Sequence, residues 1–173
     1  KSEIDFMHQA ADFQYYENGD TKAVKLPYEN GLSMVVVLGD TKNILNDIHN
    51  GKMTSKLVEV TLPKIKAEYS IDYVNILKNM GIEKAFDYQN ADFSLMLENY
   101  PERIKIDFVL QKAMIDVDER GTEAAAATVA LVTKSALSVD EEVIEFKADK
   151  PFTYYILDDS GNVYFAGRYV KAE

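Results

Sequence analysis

Alternation of apolar and polar side chains, with the two-residue period of half-buried strands, is the main pattern in the first half of the chain. Val58, Val60 and Leu62 share one face of such a segment. A second alternating segment at 64–69 follows Pro63, and because proline interrupts a β-ladder we expect two strands with a break between them. The pattern predicts that strands dominate.

Continuous apolar, β-rich runs occupy residues 32–38, 152–157 and 163–170. Such runs are typical of strands covered on both faces, so central strands are predicted at all three places. Between the last two lies DDSGN at 158–162, which supplies Gly and Asn for positive φ angles. This segment predicts a hairpin turn.

One long strand and two short helices complete the predicted elements. Residues 103–119 alternate in two phases, which a β-bulge near Gln111 would reconcile. Ser70 can cap a stretch with apolar residues at helical spacing, and Gly81 is a fitting end for that helix. A second helix is predicted over 43–50. No internal repeat or linker indicates a second domain.

Composition narrows the possible functions. The chain has 173 residues, and 47% of them are hydrophobic, which suffices for one domain with a sizeable core. Acidic residues outnumber basic ones by 29 to 19, so a net charge of −10 would repel nucleic acid. No apolar run is long enough to cross a bilayer, and no membrane partner is expected. The chain has no cysteine, which excludes disulfides and leaves the compartment open.

Motifs for catalysis are missing from the sequence. It contains no HExxH zinc motif, no G-x-S-x-G nucleophile elbow and no P-loop. His8 and His49 have no recognisable catalytic partner and are assigned to surface or structural roles. The turn at 158–162 lacks the later acidic ligands of a calcium loop. We therefore predict neither an enzyme nor a metal or other cofactor.

The segment Gly121–Glu142, GTEAAAATVALVTKSALSVDEE, differs from the rest of the chain. Alanine is the best helix former, so an amphipathic helix is one interpretation. Against it, β-branched residues follow the alanines and no large apolar face develops at helical spacing. The residues alone leave a helix and an extended segment open.

Several stretches resemble the serpin family. GTEAAAAT at 121–128 resembles the hinge of the reactive-centre loop of inhibitory serpins. FKADKPFTYYI at 146–156 resembles the family signature, with Thr153 where an apolar residue is usual. The segments at 25–40 and 62–69 also fit, and the resemblance covers essentially the whole chain.

The resemblance implies an α+β serpin fold, with a large central, mostly antiparallel β-sheet, two smaller sheets and surrounding helices. Serpins are considerably longer than this chain. Residues 1–173 are therefore interpreted as the β-rich C-terminal portion of a single serpin domain, with the N-terminal portion absent. That portion is expected as a partner, and residues 1–173 alone are expected to aggregate or remain unfolded.

The function implied by the resemblance is suicide inhibition of serine and, by extension, cysteine endopeptidases. A protease cleaves the reactive-centre loop, here about 120–142, and is trapped as an acyl-enzyme while the loop inserts into the central sheet. The expected partner is a trypsin-like, elastase-like or subtilisin-like serine protease. The alternative is a non-inhibitory serpin that serves as a carrier, chaperone or storage protein. The resemblance favours an extracellular location without fixing it.

Insertion of the loop as a strand requires small, uncharged side chains on the face that enters the core. By resemblance the hinge starts at Gly121, and alternate residues point inward and outward. The inward set is Thr122, Ala124, Ala126 and Thr128. The outward set is Glu123, Ala125, Ala127 and Val129. Because the inward set carries no charge and no proline, we expect an active inhibitor.

The reactive bond is assigned by the family spacing counted from Glu119. This spacing places Ser135 before the cut and Ala136 after it, which suits elastase-like or subtilisin-like proteases. Cleavage between Lys134 and Ser135 is the alternative. It would suit trypsin-like enzymes, whose specificity pocket carries a carboxylate.

Three residues are implied to control the opening of the sheet. By resemblance, Glu119 and Lys64 form a salt bridge where the loop enters the sheet, although two ordinary surface charges are the alternative. Gln111 occupies the site where many serpins have a histidine in a gating hydrogen-bond cluster. Since glutamine donates and accepts but does not titrate, the gate is expected to lack pH sensitivity.

Overall fold

The computed structural model describes residues 5–96, 103–118 and 142–170. Strands and helices alternate irregularly along these ranges. In chain order they are β1 (Phe6–Asn18), β2 (Thr21–Pro27), β3 (Leu32–Leu38), α1 (Ile44–His49), β4 (Thr54–Pro63), β5 (Ile65–Asp72), α2 (Val74–Asn79), two 3₁₀ turns (Lys84–Phe86 and Ser94–Met96), β6 (Leu110–Val117), β7 (Ile144–Lys147), β8 (Phe152–Asp158) and β9 (Val163–Tyr169).

The described chain divides into two compact units. The first comprises the residues up to Ile65 and those from Asp116 onward, and the second is Lys66–Ile115. In the first unit the described strands form a seven-stranded sheet in the order β7-β4-β1-β2-β3-β8-β9. Neighbouring strands are antiparallel except β4 and β7, which run parallel. This strand-rich architecture agrees with the fold class predicted from the sequence.

Strand β3 lies at the centre of the first unit's core. Its residues 33–37 are at most 3% exposed, so side chains on both of its faces are covered. Strands β2 and β8 flank it, and in β8 both Phe152 and Leu157 are 2% exposed. The prediction of central strands at 32–38 and 152–157 is confirmed.

Strand β9 lies at one edge of the described sheet, so the prediction of a central strand at 163–170 was wrong. Val163 and Tyr164 are 42% and 66% exposed. The inward face is packed by aromatic rings, with Tyr169 stacked on Phe152 at a centroid distance of 4.9 Å. An apolar run shows that its residues favour a strand, but it does not show how many neighbouring strands there are.

The turn between β8 and β9 is the predicted hairpin. The Asp158 carboxylate accepts hydrogen bonds from the backbone N–H and the side-chain amide of Asn162, both at 2.9 Å. These bonds lower the pKa of Asp158 below its ordinary value, because they stabilise the charged form. Gly161 provides the positive φ of 85° that the turn requires.

Helix α1 occupies the position predicted at 43–50, and Gly51 follows it with a φ of 69°. Its Ile44 is 2% exposed and belongs to the core cluster of the sheet. Its Asp47 accepts hydrogen bonds from the Lys52 ammonium at 2.7 Å and from the Tyr16 hydroxyl at 2.6 Å. These donors lower the pKa of Asp47 and connect the helix to β1.

In the second unit, β5 and β6 form a two-stranded sheet. Strand β5 continues to Asp72, so Ser70 lies inside the strand and does not cap α2 as predicted. Instead the Asp72 carboxylate accepts hydrogen bonds from the N–H groups of Val74 and Val109, both at 3.1 Å. Gly81, with a φ of 93°, follows the helix as expected.

The strand predicted over 103–119 is shorter in the structure. Strand β6 begins at Leu110, and residues 103–109 have no regular secondary structure. The N–H of Ile106 donates to the carbonyl of Ala85 at 2.9 Å rather than to a strand partner. The change of apolar phase near Gln111 therefore coincides with the start of β6.

Candidate functional site

The predicted reactive-centre loop connects β6 to β7. The hinge at 121–128, the bond Ser135–Ala136, the alternative bond Lys134–Ser135 and the residue Glu119 all lie outside the described residues. These assignments stay predictions. The described elements that border this segment in the sequence are β6 before it and β7 after it.

Strand β6, which precedes the loop, has one hydrogen-bonded neighbour among the described strands, namely β5. No described strand is paired with its other edge. A two-stranded sheet is marginally stable by itself and gains stability from a further strand. Chemically, this edge can accept an additional strand.

Side chains on β5 and β6 leave much apolar surface uncovered. Tyr69 is 60% exposed on β5, while Leu110 and Met114 are 66% and 67% exposed on β6. Of the β6 side chains, only Ile115 is buried, with 7% exposure. Exposed apolar patches of this kind mark surfaces that another segment covers.

Two of the three residues predicted to control sheet opening are described. Gln111 lies in β6 with an exposed side chain. Lys64 is exposed between β4 and β5, and its N–H donates to the Asp5 carbonyl at 3.0 Å. The two residues belong to different units. The salt bridge between Lys64 and Glu119 stays a prediction.

Strand β7, which follows the loop, is firmly packed in the first unit. It runs parallel to β4, with Phe146 opposite Val60. Phe146 is fully buried at 0% exposure, and Ala148, at 1%, donates its N–H to the Thr61 carbonyl at 2.8 Å. These contacts fix the chain shortly after the loop.

One histidine lies close to this packed end. The Nδ1 atom of His8 on β1 is 3.1 Å from the hydroxyl of Thr61 on β4. Thr61 is 7% exposed and is also the residue whose carbonyl receives the Ala148 N–H. The structural role assigned to His8 from the sequence fits this contact between strands.

The contacts of Asp47 with the buried Tyr16 and the exposed Lys52 were not foreseen from the sequence. Tyr16 and Asp47 are 31 positions apart, and no local motif joins them. Only knowledge of how α1 packs on the sheet could have revealed the pair.

Within the described ranges no cluster of His, Cys, Asp or Glu could hold a metal ion, and no helix could span a membrane.

Comparisons with known proteins agree on one family. The family model for serpins, described as serine protease inhibitors, matches residues 1–172. An uncharacterized serpin-like protein of Thermococcus kodakarensis is 36% identical over 182 residues, which cover 95% of this chain and 41% of that protein. Serine proteinase inhibitor 2 of cowpox virus is 35% identical over 162 residues, which cover 87% of this chain and 46% of that protein.

A solved structure gives the same result. The crystal structure of Serpin48, a highly specific serpin of the insect Tenebrio molitor, matches with a TM-score of 0.69 and 32% identity. The match covers 98% of this chain and 46% of that protein. The chain thus spans less than half the length of these relatives.

Proposed function

The chain belongs to the serpin family, and from this premise we propose that it carries the reactive-centre loop of a suicide inhibitor of serine endopeptidases. The loop is residues 120–142, and the inhibitor has no catalytic site of its own. The observation that supports this most directly is β6, a strand with one described neighbour that leads straight into the alanine-rich segment. Relatives named as proteinase inhibitors support the same function.

Inhibition begins when the protease accepts the loop as a substrate. The nucleophilic serine of the protease attacks the carbonyl carbon of Ser135, and an acyl-enzyme forms as the bond to Ala136 breaks. The loop then inserts beside β6 and carries the attached protease with it. Movement of the protease distorts its active site before water can hydrolyse the ester.

The proposed hinge is suited to pairing with the edge of β6 that lies opposite β5. A chain that reverses directly after β6 returns antiparallel to it, which allows a regular ladder of hydrogen bonds. On one face of that strand, Thr122, Ala124, Ala126 and Thr128 would meet the core, and all four are small and uncharged. The insertion therefore has no buried charge to oppose it.

The energy available is sufficient for such a movement. Inserting about 12 residues forms hydrogen bonds worth roughly 0.5 to 1.5 kcal/mol net each, or about 10 kcal/mol before the cost of ordering the chain. A protein held in a kinetically trapped state can retain this free energy until cleavage of the loop removes the barrier.

The segment after the scissile bond stays in place. Phe146 is fully buried and β7 is paired with β4, so the chain after Ala136 remains attached to the first unit. The segment before the cut, which carries the acyl group, is then free to move alone. This asymmetry between β6 and β7 is what the mechanism needs.

The test is incubation of the purified full-length protein with trypsin, elastase and subtilisin, followed by a denaturing gel. A covalent complex with one of them is the expected result. Mass spectrometry of the released C-terminal peptide then separates cleavage after Ser135 from cleavage after Lys134. Turnover of the protein by all three proteases without any complex would contradict inhibition and support the carrier, chaperone or storage alternative.

A further inference from the structure

Three asparagines in the chain directly precede a glycine, at Asn18–Gly19, Asn30–Gly31 and Asn50–Gly51. In such a pair the glycine nitrogen can attack the asparagine side-chain carbon, because no Cβ hinders its approach. All three glycines have positive φ angles, of 57°, 78° and 69°. Sequence alone does not rank the three sites, but their hydrogen bonds differ.

At Asn30 the side-chain oxygen already has a hydrogen-bond donor. It accepts a hydrogen bond from the N–H of Leu32 at 3.2 Å, in an Asx turn. Negative charge develops on this oxygen when the amide carbon is attacked, so the Leu32 donor stabilises the intermediate. Both Asn30 and Gly31 are exposed, and the Gly31 N–H has no hydrogen-bond acceptor among the described residues.

The other two sites are restrained in different ways. At Asn50–Gly51 the attacking N–H of Gly51 donates to the Ile48 carbonyl at 3.0 Å, and this bond must break first. At Asn18–Gly19 the departing amide donates to the buried Tyr16 hydroxyl at 3.4 Å, and Asn18 closes the ladder opposite Thr21. At neither of these two sites does a described N–H or O–H group donate to the side-chain oxygen of the asparagine.

We propose that Asn30 is a site of spontaneous deamidation, and that in the folded protein it reacts before Asn18 and Asn50. The Gly31 nitrogen loses its proton to the solvent base and bonds to Cγ of Asn30. The Cγ–Nδ2 bond breaks, Nδ2 takes up a proton, and ammonia leaves. Water then opens the resulting succinimide at either carbonyl, which gives aspartate or isoaspartate. The proposal is independent of protease inhibition.

The modification would alter the end of the β2–β3 hairpin. The Tyr28 N–H donates to the Leu32 carbonyl at 2.8 Å across this connection, and Ser33 begins the buried part of β3. Isoaspartate lengthens the backbone by one methylene group between these strands, and either product adds a negative charge. The chain thus acquires a chemically distinct form with a loosened hairpin.

Tryptic peptides separate the three sites cleanly. Cleavage at lysine places Asn18 in 2–22, Asn30 in 26–42 and Asn50 in 43–52. The purified full-length protein is incubated folded in mildly alkaline buffer, and a second sample is incubated in urea. Mass spectrometry follows each conversion, and the separated aspartate and isoaspartate forms confirm the chemistry.

In the folded sample we expect peptide 26–42 to convert several-fold faster than the other two. In urea the difference should disappear, because the hydrogen bonds that distinguish the sites are lost. Asn30→Gln is the control, since it should stop conversion in 26–42 and leave the other two rates unchanged. Faster conversion in 2–22 or 43–52, equal rates in the folded protein, or no conversion in 26–42 would overturn the proposal.

Discussion

Replacing Phe146 with alanine tests whether β7 is held in place by one buried side chain. Phe146 is fully buried, and in the described sheet this four-residue strand pairs only with β4. Its partner in the register, Val60, is 4% exposed, so the ring lies in the core of the first unit. Truncating a buried phenylalanine to alanine costs about 3–5 kcal/mol, from lost apolar burial and the cavity left behind.

Hydrogen exchange measures this loss locally. The Ala148 N–H donates to the Thr61 carbonyl at 2.8 Å, and Ala148 is 1% exposed, so its exchange requires β7 to open. A loss of about 3–5 kcal/mol would accelerate that exchange by about two to three and a half orders of magnitude, since each tenfold change corresponds to 1.4 kcal/mol. Mass spectrometry of peptides spanning 144–150 in the full-length protein gives the rate.

Glu145→Ala is the matched control. Glu145 is the preceding residue on the same strand, but its side chain is exposed. Exposed substitutions usually change stability by no more than about 0.5 kcal/mol, so exchange at Ala148 should hardly change. Equal exchange in Phe146→Ala and Glu145→Ala would show that the buried ring does not hold β7.

Three further predictions concern other parts of the chain, each measured in the full-length protein. Gly167→Ala should lower the thermal unfolding midpoint, because a Cβ there would lie 2.3 Å from the Tyr154 ring and overpacking costs about 1–3 kcal/mol. An unchanged midpoint would mean that the ring shifts freely. Asp47→Asn should remove a stabilisation that is present above the ordinary aspartate pKa and is lost as pH falls through the lowered pKa of the folded state. The difference between wild type and variant in urea midpoint should therefore shrink toward acid, and a constant difference would contradict the ion pair. If the proposed inhibition operates, Ala124→Arg should convert it to simple cleavage by placing a charge on the face proposed to insert, whereas Ala125→Arg should leave the stoichiometry of inhibition nearly unchanged. Equal effects of the two would refute the assigned faces.

Local rules were enough for features that depend on a few adjacent residues. The break at Pro63 follows from the missing N–H of proline, and β4 ends at that residue. The ends of both helices follow from Gly51 and Gly81, which adopt positive φ angles at little steric cost. The hairpin at 158–162 follows from its turn chemistry in the same way.

Features that depend on distant pairing could not be predicted from the sequence. Ser70 is a good cap in isolation, but β5 continues through it to Asp72, whose carboxylate also reaches Val109 at 3.1 Å. Residues 103–109 have strand-like alternation, yet Ile106 bonds to Ala85 instead. In each case a contact with residues far along the chain overrides the local preference.

In the candidate site, too, some features can be predicted from local sequence and others depend on distant pairing. The hinge is predicted from its resemblance to a family, which also implies which of its alternating residues face inward, and it stays a prediction. That β6 has one described neighbour and that Phe146 is fully buried depend on which strands are neighbours. No periodicity in the sequence contains that information.

Strands β6 and β7, which border the predicted loop, differ in how far they are already paired and packed. Among the described strands β6 pairs only with β5, so pairing with a new strand would stabilise it. Strand β7 is already paired, and Phe146 is already buried, so the chain after the cut gains nothing by moving. In the mechanism proposed above, the drive for trapping therefore comes from the residues before Ser135. Under that proposal the residues before the reactive bond must be small on the face that enters the sheet, whereas those after the bond need not insert at all.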